Sequence, residues 1–298
     1  MFLSWPKLLV FYFTLLFVWG FLSRPAVRMG HLVRSASHRS CQLIHVAVQG
    51  NIRVTASQDS AEQPKVWVLH QEPSFLVINK PTGLLSQSTY GVDGALFRVR
   101  RWLAAQQPGP SDPFAELPHR LDRGTSGVLL IARTRAALSI LGQQFQTRKV
   151  RKEYRVAVSG QPATPRGVWI DWMRKIPEVA RAELVSASMP GAQQAILEYE
   201  QVDGDTNTSQ HLVELKTGRM HQIRLQFASR SHPVLGDRLY GSHREWSPLP
   251  SHAHDEHFAL HASRLTFRHP QDGREIRIQA PLPEAWQRCL PSPFDGEL

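Results

Sequence analysis

Apolar residues recur along this chain at two spacings, and the switches between them mark out its elements. Val66-Trp67-Val68-Leu69 and Phe75-Leu76-Val77-Ile78 are short apolar runs around a polar turn and read as strands. Lys80-Pro81 breaks the second run. Over 93–105, Leu96, Val99 and Leu103 repeat at i, i+3, i+7, which predicts a helix with Arg98, Arg100 and Arg101 facing elsewhere. Val128 to Ala132 reads as a buried strand. Leu138, Leu141 and Phe145 predict a second helix over 135–149. Glu153 to Val158 reads as a strand. Ala195 to Val202 and His211 to Lys216 read as paired strands joined by a turn around Gly204. Met220, Ile223, Arg224 and Phe227 have the spacing of a buried helical face. Residues 161–192 lack strong periodicity and read as a variable insertion.

The N-terminus is patterned differently. Leu8 to Leu22 is apolar or nearly so over fifteen residues, with Lys7 ahead and Arg24, Arg28, Arg34 and Arg39 behind. As a helix it would span about 22 Å, short of the roughly 30 Å hydrocarbon core. No small-x-small cleavage site follows it. Residues 1–28 are therefore expected to be a mis-assigned start or a dispensable extension, with a membrane anchor as the alternative. An organellar transit sequence also fits, because residues 1–58 are acid-free and rich in Ser and Arg. Residues 29–64 read as a poorly ordered lead-in, and 65–298 as the folded body of the chain. The chain has 298 residues, 42% of them hydrophobic, enough to bury a core. Its net charge of +10 suits a polyanionic partner, but half of that excess sits in the first 60 residues. The remainder is only mildly basic.

Cys41 and Cys289 are far apart and form no CxxC pair, so neither a disulfide framework nor a thiolate metal site is expected. His252, His254, Asp255 and His257 lie in a Pro- and Ser-flanked stretch whose spacing is not a specific zinc pattern, and a surface loop is expected. The stretch richest in chemistry is His119-Arg120-Leu121-Asp122-Arg123-Gly124-Thr125-Ser126-Gly127. It sets one carboxylate among arginines on a turn that runs into a buried strand. Asp122 suits a nucleophile or a base; it equally suits a turn aspartate that bonds its own backbone. Arg224 falls in an apolar slot, so it requires a buried acid or must snorkel to solvent.

HRLDRGTSG resembles the signature of the RluA-like family of RNA pseudouridine synthases. Four further stretches match that family in order: Val77 to Leu84, Lys152-Glu153-Tyr154, Gly218 to Arg224, and His232 to Gly241. The resemblance covers about residues 65 to 285 and implies an α+β fold, a mostly antiparallel central sheet flanked by helices around an RNA cleft. The S4-type domain that many relatives carry is not expected here. The implied reaction isomerises uridine to pseudouridine in ribosomal or transfer RNA. It needs no cofactor or metal, in keeping with the lack of a dinucleotide fingerprint or P-loop. Asp122 is implied to be the essential carboxylate, Arg224 its partner, and Tyr154 the residue that packs on the base and removes the C5 proton. Arg120 is implied to fill the space left by the flipped uridine, and Leu121 to shape the pocket. Arg123, Lys152, Arg219 and His221 are candidates for RNA contact. Lys80 belongs to a supporting motif without a chemical role. A monomer in the cytoplasm is expected. A non-catalytic RNA-binding protein is the alternative.

Overall fold

The computed structural model describes residues 65–88, 92–106, 113–246, 257–284 and 286. Leu8 to Leu22, both cysteines, and His252, His254 and Asp255 lie outside them. Strands β1 (Val68–Gln71), β2 (Phe75–Lys80) and β3 (Ser126–Ala132) form an antiparallel set at one end of a sheet. β3 is buried along its whole length, so both of its faces need cover. On one face, Leu76, Ile78, Leu129 and Ile131 meet Leu96, Val99 and Leu103 of helix α1 (Ala95–Gln106). On the other, Phe75, Val77, Val128 and Leu130 meet Leu141 of helix α2 (Arg135–Gln146). Thr134 caps α2 by accepting the Ala137 N–H at 3.1 Å.

The rest of the sheet is built from β4 (Arg151–Ser159), β5 (Arg166–Lys175), β6 (Ala182–Leu184), β7 (Gln193–Gly204), β8 (Thr208–Leu215), β9 (Leu260–Arg268) and β10 (Glu275–Gln279). Among the described residues the order is β1-β2-β3-β9-β4-β8-β7-β5-β6, with β10 also paired to β9. Every pairing of these strands is antiparallel except β3 with β9, which run parallel through Ser126↔His261 and Gly127↔Ala262. β9 comes late in the chain yet sits between β3 and β4. Helix α3 (Gln222–Ala228) packs Ile223 and Phe227 against Val156, Leu197 and Val213 of the second half. Tyr154 touches both this core and the α1 core, so it lies at their junction.

Residues 161–192, read as an insertion without strong periodicity, hold β5 and β6, which extend the main sheet. Their periodicity was hidden because β5 carries apolar residues on both faces: Val168 and Ile170 lie open while Trp169 packs on Tyr199 and Phe227. Helix α3 is also shorter than its spacing predicts. It starts at Gln222, after His221 in left-handed backbone (φ 52°), and leaves Met220 outside. Among the described residues, no helix is long and apolar enough to cross a membrane.

Candidate active site

The Asp122 segment is held by close backbone packing. The Thr125 N–H donates to the Asp122 carbonyl at 3.1 Å, closing a turn. At Gly124, which packs on the Phe258 ring, a methyl would collide with that ring. Gly127 has φ +110°, and a methyl there would strike the Ala262 backbone of β9. Ser86 fixes the entry by donating its hydroxyl to the Leu121 carbonyl at 2.6 Å and accepting the Leu121 N–H at 2.9 Å. Lys80, fully buried, donates to the carbonyls of Leu84 at 2.7 Å, Pro81 at 2.9 Å and Arg123 at 3.1 Å. Burial holds its ammonium down to about 7 against the opposing pull of Asp122. A solvated strand end would have none of these bonds; Lys80 ties the loop to β2.

Arg224 is 1% exposed and carries two acids. Its Nε and Nη2 donate to Asp237 Oδ2 and Oδ1 at 2.6 and 2.9 Å, a two-point grip on a carboxylate that is itself 1% exposed. Its Nη1 reaches Asp122 Oδ2 at 3.4 Å. The Phe258 ring lies 4.3 Å below the guanidinium and the Tyr240 ring 5.2 Å away. Asp237 thus neutralises and orients Arg224, which presents one remaining edge to Asp122. His221 stands 4.0 Å from Asp122 through Nε2, and its Nδ1 meets the Tyr240 hydroxyl at 2.9 Å. The Asp122 side chain is 29% exposed, open enough to reach a ligand.

Tyr154 is aimed by a bulge. Pairing of β4 with β9 shifts register between Glu153 (with Arg264) and Tyr154 (with Ala262), which leaves Ser263 as the extra residue. Burial first, then the Asp122 charge, push the Tyr154 phenol up. These groups line a cleft of ≈1250 Å³. Arg120, Arg148, Lys152, Lys175 and Arg219 line it too. Among the described residues none of the five is within ion-pair distance of a carboxylate, whereas Arg151, Lys216 and Arg264 elsewhere on the sheet all pair with glutamates.

The chain is similar in sequence and fold to known proteins. A sequence model of RNA pseudouridylate synthases matches residues 74–229. The ribosomal large subunit pseudouridine synthase C of Yersinia pestis is 31% identical over 256 residues, covering 83% of this chain and 75% of that protein. The dual-specificity RNA pseudouridine synthase RluA of Escherichia coli K12 is 33% identical over 229 residues, covering 74% and 94%. The chain belongs to the RluA-like family of RNA pseudouridine synthases. In fold it is similar to the solved human RNA pseudouridylate synthase domain containing 4, with a TM-score of 0.61 at 22% identity over 76% of this chain and 94% of that one. It is an isomerase with RNA as its partner.

Within this synthase, Asp122, Tyr154, Arg224, Arg120, Leu121, Arg123, Lys152, Arg219 and His221 all line the one cleft. The sequence reading paired Arg224 with Asp122; the tighter partner is Asp237, which it missed. The signal was present, since an arginine in an apolar slot demands an acid and Asp237 lies thirteen residues on. Leu121 is buried in the α1 core and Arg120 is exposed. Arg123 donates to the Gly83 carbonyl at 2.9 Å, and Arg219 to the Gln194 carbonyl at 2.9 Å. Two of the α1 arginines are matched by acids, Arg98 by Asp93 and Arg100 by Glu116.

Proposed function

We propose that this synthase isomerises uridine in ribosomal or transfer RNA with Asp122 as its essential carboxylate. The observation that carries the reading is Asp122 itself. It is a part-exposed carboxylate on a turn, held by an arginine whose charge a second buried acid already balances, inside a cleft where, among the described residues, Arg120, Arg148, Lys152, Lys175 and Arg219 have no carboxylate within ion-pair distance. Relatives named for the ribosomal large subunit and for dual specificity support the substrate class.

The chemistry conserves every atom of the nucleoside. The C1′–N1 bond breaks, the uracil turns, and C1′ bonds to C5. The C5 proton leaves and N1 gains one. Attack on C1′ and removal of a sugar proton both begin from a carboxylate placed like Asp122, and Arg224 fixes its orientation. The Tyr154 ring packs against the base. Its phenol, pushed up by burial and Asp122, enters the reaction neutral. To remove the C5 proton, its hydroxyl must pass its own proton on as it takes the new one. Arg120, exposed at the cleft, fills the gap left by the flipped uridine, and Leu121 shapes the wall behind the base.

The test uses transfer and ribosomal RNA carrying tritium at C5 of uridine. Wild-type protein releases label to water, and the Asp122→Asn variant binds RNA but releases none. Binding without release by the wild type sinks the catalytic reading in favour of an RNA-binding protein. A monomer working in the cytoplasm completes the proposal; light scattering and cell fractionation check it.

A further inference from the structure

We propose that Arg148, Lys152, Arg219 and His119 form one subsite that grips a single backbone phosphate flanking the target uridine. The inference rests on the reading above and deepens it. Each group arrives from a different part of the fold. Lys152 lies on β4, two residues from Tyr154 and on the same face, about 7 Å along the strand. Its Nζ is anchored on the Thr217 carbonyl at 2.9 Å. Arg219 comes from the segment between β8 and α3, and its Nη1 is braced by Gln193 Oε1 at 2.8 Å. Arg148 follows α2 in left-handed backbone, φ 58°, and is exposed. His119 stacks on Phe145 of α2 at 4.6 Å, and its Nε2 accepts the Leu130 N–H at 3.0 Å, so the ring proton sits on Nδ1.

Together these groups offer donors. Among the described residues, no carboxylate is within ion-pair distance of Arg148, Lys152 or Arg219. On the alternate residues of the same strand, Arg151 is answered by both Glu153 and Glu214. The three cations are close enough to act on one another: burial, then the charges of Arg148 and Arg219, hold the Lys152 ammonium down to about 8. Mutual repulsion of that kind is relieved by a ligand that only accepts hydrogen bonds and carries negative charge. A phosphodiester does both. Its distance from Tyr154 suits the linkage next to a nucleotide whose base lies on that ring.

The test combines two protein variants with substrate chemistry. Lys152→Gln shortens the stem and keeps an uncharged donor, and Arg148→Asn suits left-handed backbone; thermal melts establish that both fold. RNA is made with a neutral methylphosphonate at the linkage 5′ or 3′ to the target. Each variant is expected to raise KM on the order of tenfold, with kcat within about twofold, as for loss of a charge-assisted contact. One of the two methylphosphonates imposes a similar penalty on the wild type and little further penalty on either variant. Independent penalties at both linkages overturn the subsite. Inorganic phosphate at matched ionic strength is expected to weaken RNA binding more in the wild type than in either variant, and an equal effect on all three overturns the subsite. If wild type releases no tritium, the catalytic reading fails, and the same comparison run on Kd still decides the subsite.

Discussion

Asp237→Asn tests the claim that Arg224 is poised by a second acid. Asparagine keeps the shape but turns one acceptor into a donor facing a guanidinium, so one of the bonds at 2.6 and 2.9 Å is lost along with the charge. Arg224 is 1% exposed, so its guanidinium has almost no solvation to replace the lost partner. Stranding one member of a buried pair costs about 3–5 kcal/mol. Asp122, at 3.4 Å, recovers part of that by drawing the guanidinium toward itself. A net loss of about 3 kcal/mol should lower Tm by roughly 6–12 °C in a domain of this size. Circular dichroism melts at pH 7.5 read the stability, and tritium release reads kcat, which should fall because a guanidinium no longer fixed by Asp237 pulls Asp122 out of its orientation. A cycle with Arg224→Met makes the reasoning sharper. The double variant leaves no buried charge of the pair stranded, so it should be more stable than the sum of the singles by at least about 2 kcal/mol. A Tm within 2 °C of wild type, on the scale of about 1 kcal/mol, or additive single effects, would refute the argument.

Further expectations concern pH, glycines and the Tyr154 ring. His211 and His261 are fully buried, and burial holds each down to about 4. Their folded values lie below the unfolded value near 6.5, so stability is full above that pH and is lost as pH falls toward 4, by about 1.4 kcal/mol per unit for each group. Urea midpoints at pH 7.5, 6 and 5 check this, and a flat profile contradicts it. Gly142→Ala in α2 meets nothing within 4 Å and should stabilise by about 0.5–1 kcal/mol, whereas Gly124→Ala drives a methyl into Phe258 and should cost about 1–3 kcal/mol or more; denaturant titration separates the two. Tyr154→Phe should keep RNA affinity within about twofold, since the ring stays, while slowing tritium release; Tyr154→Ala should lose affinity, by about 1–3 kcal/mol for a lost stacking ring. Equal affinities for the two variants would remove the packing role.

Much of the site was legible because its chemistry is local in sequence. Asp122, the turn beside it and the buried strand after it form one stretch, and the periodicity around Ile223 and Phe227 put Arg224 inside. The partner of Arg224 was harder, because one guanidinium has two usable edges and the pattern asks only for an acid. For Lys80 the resemblance gave a supporting role but not its partners: they are backbone carbonyls of Leu84, Pro81 and Arg123, and carbonyls leave no mark on a sequence. The bulge at Ser263 that aims Tyr154 depends on a strand more than a hundred residues away. β5 escaped notice because Val168 and Ile170 are apolar yet exposed, which erased the alternation that marks a half-buried strand.

The place of β9 has a consequence for how the protein is made. β3 and β4 do not pair with each other; β9, Leu260–Arg268, fills the gap between them. During synthesis the first strands and helices emerge early, but the centre of the sheet stays open until the chain has been extended through β9. Its Ala262 backbone closes over Gly127, and Phe258 just ahead of it closes over Gly124 and Arg224. A nascent chain that ends at residue 229, where the family match stops, holds Asp122 and Arg224 but lacks the strand that brings their two halves together. Translation therefore keeps the Asp122 turn and the Arg224 helix unassembled until nearly the last strand leaves the ribosome.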